Sequence, residues 1–142
     1  MKTLKSLMLG LALLVAGTTA NAANKIDGEN LTKNFAINTY IDAMTRGKLS
    51  GFSEVVDQSA KFSMLRGTKV LSFDKTEVVD QLKSTKNVEQ DCITSTSVVE
   101  SNNDLAVIKV DMKYDTFTRS NYVTITNTGS GWKITNVYSV FK

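Results

Sequence analysis

Residues 104–141 read DLAVIKVDMKYDTFTRSNYVTITNTGSGWKITNVYSVF, and this stretch decides the fold. Thr, Val, Ile and Tyr dominate it, and these residue types suit a pleated, half-buried surface. Together with the residues just before it, the stretch predicts four β-strands, at 88–100, 104–116, 122–127 and 132–141. The connections between them are short, so each strand should pair antiparallel with its neighbour in sequence.

The segment upstream of these strands has the spacing of helices. Apolar side chains recur every three or four residues from Leu31 to Met44, which predicts an amphipathic helix. Asn30 is the expected N-cap of this helix, and Gly47 is the expected stop. A second, short helix is expected at residues 50–56.

In the next segment, apolar side chains recur at every second residue. Alternating apolar side chains at residues 60–64 and 69–73 predict two short strands. Asp74 and Glu77 have the spacing of a capping box and predict the start of a third helix. The predicted order is therefore α-α-β-β-α-β-β-β-β, which is a single α+β domain with an antiparallel sheet.

Hairpin register predicts which strand side chains face the helices. If Asn102-Asn103 forms a two-residue turn, Ser97 lies opposite Ile108, and Asp91 lies opposite Tyr114. Directly opposed residues share a face, so the odd-numbered residues 93–99 should point inward and Cys92 outward.

The last two hairpins extend the same inward face. A loop at residues 128–131 places Ile125 opposite Ile134, and a turn at residues 118–119 places Met112 opposite Ile125. Asn136 and Tyr138 then point inward with Ile134. A slip of one residue would exchange the two faces of a strand.

Residues 1–22 have the pattern of a secretory signal peptide. Lys2 and Lys5 precede an apolar run at residues 7–16, which is too short to span a bilayer. Ala20-Asn21-Ala22 supplies the small residues that signal peptidase reads. We therefore expect cleavage before Ala23 and export to the periplasm or the extracellular space.

The domain boundaries follow from this leader. A polar lead-in is expected at residues 23–29, and one domain at residues 30–142. The chain has 17 basic and 14 acidic side chains, and cleavage would remove two of the basic ones. The remaining chain would be nearly neutral. We therefore expect no nucleic-acid partner, and no membrane contact once the leader is removed.

The composition excludes several kinds of chemistry. The 142 residues contain no His and a single Cys, which removes His-based metal sites, Ser-His-Asp triads and an internal disulfide framework. No two carboxylates have a spacing that would bring them together on a metal. We expect neither a metal nor a cofactor.

Three local segments resemble one known superfamily. They are Tyr40-Ile41-Asp42-Ala43 in the first helix, the turn at residues 56–62, and Gly131-Trp132-Lys133-Ile134. With the element order, they resemble the nuclear transport factor 2-like superfamily, a cystatin-like cone, and especially its small exported members of the lumazine-binding-like or SnoaL-like type. The resemblance implies a strongly bent sheet wrapped around the first helix, with a pocket at the wide end.

Inward-facing polar groups in an apolar cup predict a binding site for a small apolar or aromatic molecule, without catalysis. The same side chains could instead bond to the backbone, to water or to one another. The predicted ligand-binding residues are Tyr40, Met44, Phe62, Met64, Ser95, Ser97, Met112, Tyr114, Asn136 and Tyr138.

Two other functions remain open. A carboxylate in an apolar cup next to a tyrosine could transfer a proton, as in isomerases and dehydratases of the superfamily, with Asp91 and Tyr114 as the catalytic candidates. Asp91 could equally be solvated at a strand start or paired with Lys86. The third hypothesis is a scaffold that forms a homodimer through the convex face of the sheet.

Overall fold

The helices and strands follow the predicted order. The computed structural model describes residues 32–142, so the predicted signal peptide, the lead-in and the Asn30 cap lie outside the described residues. The α+β class and the element order are confirmed. In chain order the elements are α1 Lys33–Arg46, α2 Phe52–Val55, β1 Val56–Arg66, β2 Lys69–Asp74, α3 Lys75–Lys83, β3 Ile93–Ser101, β4 Leu105–Lys113, β5 Thr118–Thr128 and β6 Gly131–Phe141.

Local signals in the sequence set the ends of the helices. The Thr32 hydroxyl caps α1 by accepting a hydrogen bond from the next turn of backbone. Gly47 ends α1 in the left-handed conformation, with a φ of 65°, which glycine adopts at little cost. At the start of α3, Asp74 and Glu77 each accept a hydrogen bond of 2.9 Å from the backbone N–H of the other, which completes the predicted capping box.

The six strands form one mixed sheet in the order β2-β1-β6-β5-β4-β3. Consecutive strands that are joined by a short turn pair antiparallel, as predicted. The prediction of a wholly antiparallel sheet is wrong for one pair, because β6 lies parallel to β1. These two strands are distant in sequence, so no hairpin turn governs their relative direction.

Helix α1 packs on one face of the sheet, against β4, β5 and β6. Its buried side chains include Ala36, Tyr40 and Ala43, and they form a single core with the inward face of the strands. On β4 every second residue from Ala106 to Met112 is buried, which confirms the predicted inward face of that strand.

A β-bulge inverts the predicted faces of β3. At the hairpin tip, Ser101 lies opposite Ala106, so the residues there point to the faces that were predicted. The register then shifts by one residue between Val98 and Glu100. A bulge adds one residue to one strand, so every residue beyond it turns to the other face. Ser97 consequently lies opposite Lys109 and not Ile108.

A second bulge has the same effect on β6. Ile125 lies opposite Ile134 as predicted, but Thr124 pairs with Asn136, so the register shifts by one residue between these pairs. Val137 and the following alternate residues of β6 therefore point inward. The prediction that Asn136 and its alternates point inward is wrong.

The turn between β4 and β5 lies earlier than predicted. The Tyr114 N–H donates to the Phe117 carbonyl at 2.8 Å, so β5 already begins at Thr118. Met112 lies opposite Arg119 and not Ile125. The displacement is an even number of residues, so the faces of β5 are retained, and Arg119 becomes an inward-facing strand residue.

Candidate functional site

The ten predicted ligand-binding residues do not form one site. Tyr40, Phe62 and Met112 are buried in the core, and Met44, Met64 and Tyr114 are half-buried. The other four belong to the two strands that carry bulges. They lie on the face opposite the helices, where three are exposed and Tyr138 is half-buried: Ser95, Ser97, Asn136 and Tyr138.

Asp91 and Tyr114 do not form the proton-transfer arrangement predicted for them. Asp91 is exposed, so the prediction that its carboxylate lies inside the cup is wrong. Cys92, predicted on the outer face, packs against the core and lies beside Tyr114. The Tyr114 hydroxyl donates a hydrogen bond to Gln90 Oε1.

A buried amide satisfies the innermost polar groups. Asn121 Oδ1 accepts hydrogen bonds from the Tyr40 hydroxyl at 3.2 Å and from the Ser139 hydroxyl at 2.7 Å. Asn121 Nδ2 donates to the Val110 carbonyl at 3.0 Å. Burial raises the pKa of Tyr40 to about 12, while the positive charge of Arg119 opposes that rise.

Arg119 lies between this amide and the surface, on the inward face of β5. Its Nη2 donates a long hydrogen bond of 3.5 Å to the Ser139 hydroxyl. Its Nε is buried and has no hydrogen-bond partner among residues 32–142. No carboxylate in that range lies within 4.0 Å of its guanidinium; the ion pairs formed there join other residues.

Arg119 adjoins a connected group of three aromatic rings. Tyr114 and Phe117 are stacked, with ring centroids 4.6 Å apart, and Phe117 lies 6.2 Å from Phe141. The Arg119 Cζ is 5.8 Å from the centre of the Phe141 ring. Phe117 is 41% exposed and Phe141 39% exposed, so two rings reach solvent. We call Tyr114, Phe117, Arg119 and Phe141 the arginine–aromatic cluster.

Burial and charge act in opposite directions on the tyrosine of the cluster. Burial raises the pKa of the Tyr114 hydroxyl, the neighbouring Cys92 adds to the rise, and the charge of Arg119 opposes it. The hydroxyl is therefore a hydrogen-bond donor at neutral pH. The cluster combines a cation with stacked rings, which suits a ligand with an acceptor group and a flat apolar body.

Sequence reasoning identified only Tyr114 of this cluster. Phe117 and Arg119 were expected in a turn, because the strand was expected to begin at Tyr122. The signal that could have identified Arg119 is the alternation of inward and outward residues along a strand. Arg119 is separated from the buried Val123 and Ile125 by an even number of positions, so all three belong to the same face of β5.

Two surface cavities lie elsewhere. One, of about 490 Å³, is lined by Lys48, Leu49, Ser50, Lys86 and Asn87. The other, of about 180 Å³, lies between α2 and α3 and is lined by Leu49, Phe52, Ser53, Val79, Leu82 and Lys83. Neither is lined by any of the predicted ligand-binding residues.

The described residues hold neither a metal cluster nor a membrane-spanning helix. Between residues 32 and 142, no three His, Cys, Asp or Glu side chains come close enough together to hold a metal ion. No helix in the same range has the length and apolarity that crossing a membrane requires.

Several solved structures share this fold. A nuclear transport factor 2-like (NTF2-like) protein from Silicibacter pomeroyi DSS-3 is 18% identical, with a TM-score of 0.62 over 77% of this chain and 90% of that chain. One from Shewanella baltica OS155 is 9% identical, with a TM-score of 0.59 over 75% and 88%. One from Streptomyces avermitilis, described as a "putative dehydratase" of the NTF2-like family, is 16% identical, with a TM-score of 0.55 over 75% and 91%. The fold is NTF2-like, as the sequence resemblance implies.

The family can be stated more narrowly. The chain belongs to the family described as "Putative lumazine-binding", whose model matches residues 31–139. No functionally curated protein matches it in a sequence comparison.

Proposed function

We propose that this protein is an exported, non-catalytic domain that binds a small molecule with an apolar or aromatic body. The lumazine-binding family supports binding as the function. The leader-like pattern of residues 1–22 supports export. The ligand site that we propose is the arginine–aromatic cluster, which replaces the cup interior favoured by the sequence.

One observation carries this proposal: half-exposed aromatic rings lie directly beside inward-facing polar groups. Phe117 and Phe141 offer flat apolar surface to solvent, and Arg119 lies 5.8 Å from the Phe141 ring. Small-molecule sites combine apolar and aromatic walls with a few polar groups that fix orientation. The core further in is occupied by buried side chains such as Tyr40 and Met112, so the ligand would bind at this outer edge.

Native mass spectrometry of the protein purified from its own cells tests binding. We expect a co-purifying mass of a few hundred daltons that collisional activation releases, since ligand sites of this kind accept molecules of that size. Phe117→Ala should reduce the occupied fraction strongly. The matched control is Val70→Ala, because Val70 is an exposed apolar residue on β2, an edge strand that carries no residue of the cluster. A ligand-free protein, or equal occupancy in both variants, would contradict the proposal.

Pairing of two copies through the convex face of the sheet also belongs to this proposal. Tyr122 and Tyr138 lie directly opposite each other on that face, and both are half-buried. Aromatic side chains of this kind are enriched in protein interfaces. Light scattering at micromolar concentration should give the mass of a dimer; the mass of one chain would remove this part of the proposal.

A further inference from the structure

We infer that the ligand of the arginine–aromatic cluster carries a carboxylate beside an aromatic ring, and that Arg119 binds this carboxylate. The inference rests on the proposed function, because it assigns a chemical class to the ligand of the same site. Its basis is the unmet hydrogen-bonding capacity of one arginine in a place where the other polar groups are satisfied.

The polar groups around Arg119 have hydrogen-bond partners, whereas most of the donors of Arg119 do not. The Tyr40 and Ser139 hydroxyls donate to Asn121, and the Tyr114 hydroxyl donates to Gln90. Arg119 has five N–H donors but only the long contact to Ser139 and a buried Nε without an acceptor among residues 32–142. An arginine with unmet hydrogen-bonding capacity is costly, and Arg119 as a whole is only half-buried, so an acceptor supplied from outside would be stabilised where its guanidinium reaches solvent.

The backbone that carries Arg119 is fixed within the sheet. Arg119 lies opposite Met112 on one side and Phe141 on the other, within the sheet. The adjacent Thr118 exchanges two backbone hydrogen bonds of 3.0 Å with Lys142. A side chain on a paired strand loses less conformational freedom on binding than one on a loop, which favours specific recognition.

The charge of the cluster selects the class of ligand. A cage of aromatic rings alone could bind an ammonium group through cation–π contacts. Arg119 already supplies a cation beside these rings, so it would repel a second one. A carboxylate accepts two parallel hydrogen bonds from a guanidinium, and an attached ring could stack on Phe117 or Phe141.

Calorimetric titration of the protein with 2-naphthoate and 2-naphthamide tests the inference. The two probes share one ring system and nearly one shape, and they differ in charge. We expect 2-naphthoate to bind at least about tenfold more tightly, because charge-assisted bidentate hydrogen bonds are the strong ones. Arg119→Gln should abolish this difference, and Arg119→Lys, which keeps the charge but loses the planar fork, should retain only part of it.

Arg66→Gln is the matched control, since Arg66 is an exposed arginine of β1, outside the cluster. It should leave the preference for 2-naphthoate unchanged. Equal binding of the two probes to the unaltered protein would overturn the inference while leaving the proposed function in place. Binding of neither probe would also overturn it, and native mass spectrometry then decides whether the proposed function fails as well.

Discussion

Asn121 and Ser139 face each other across β5 and β6, and the Ser139 hydroxyl donates a hydrogen bond of 2.7 Å to Asn121 Oδ1. The same oxygen accepts from Tyr40 of α1, and the amide nitrogen donates to the Val110 carbonyl of β4. A single buried amide thus joins the helix to three strands.

Asn121→Ala should be among the most destabilising substitutions where α1 packs on the sheet. It would remove the acceptor to which the buried Tyr40 and Ser139 hydroxyls donate and one donor to the Val110 carbonyl, and each unmet buried group costs about 1–3 kcal/mol. We expect the free energy of unfolding to fall by about 3 kcal/mol or more in urea denaturation. The control is Asn136→Ala, because Asn136 is exposed on the outer face of β6. Similar losses for both variants would contradict the bulged register of β6, which buries Ser139, a partner of Asn121, and exposes Asn136.

Alkaline pH should destabilise the fold through Tyr40. Its pKa is raised from 10.0 to about 12, so between these values the unfolded chain releases a proton that the folded chain retains. The stability from this group is complete below pH 10 and is lost as the pH rises towards 12.

Denaturation midpoints from pH 9 to pH 12 would measure this effect by comparison with Tyr40→Phe. The unaltered protein should lose about 3 kcal/mol more than the variant, as expected for a shift of about two pKa units. Curves that run parallel for the two proteins would show that Tyr40 does not titrate in this way.

The capping box at the start of α3 can be tested in isolation. Asp74→Ala removes the side chain that accepts from the Glu77 N–H, and we expect a loss of about 1 kcal/mol in the free energy of unfolding. Asp80→Ala is the control on the same helix, since Asp80 forms only a weak, exposed ion pair of 3.9 Å with Lys83. An equal effect at the two positions would indicate that charge, and not capping, is responsible.

The fold was predictable where the pattern of the sequence is unambiguous. On β4 the apolar residues from Ala106 to Met112 alternate with Val107, Lys109 and Asp111, so only one register buries them. The Asp74 capping box and the Gly47 stop are local signals, and both are present in the structure.

The predicted binding residues on β3 and β6 were placed on the wrong face, because these two strands lack such a pattern or are interrupted. On β3 the residues from Ile93 to Ser101 are mostly Ser, Thr and Val at both parities, and all of them are exposed, so burial does not fix the register. A bulge leaves no mark in the sequence of a strand of this kind. On β6 the bulge exchanges Asn136 for Val137 on the inner face and brings Ser139 towards Arg119.

Gly47 provides the sharpest test of how the loop between α3 and β3 is held in place. A Cβ at Gly47 would lie 2.5 Å from the backbone of Asn87 and of Thr85, whereas a Cβ at Gly67 would meet nothing within 4 Å. Both glycines have nearly the same positive φ, so alanine at either position bears the same cost of the left-handed conformation, about 1 kcal/mol. Gly47→Ala should lose a further 1–3 kcal/mol or so through the clash. It should also displace the loop that carries Gln90, the partner of Tyr114. Urea denaturation of the two variants measures the difference, and equal losses would mean that the loop moves away from Gly47 without cost.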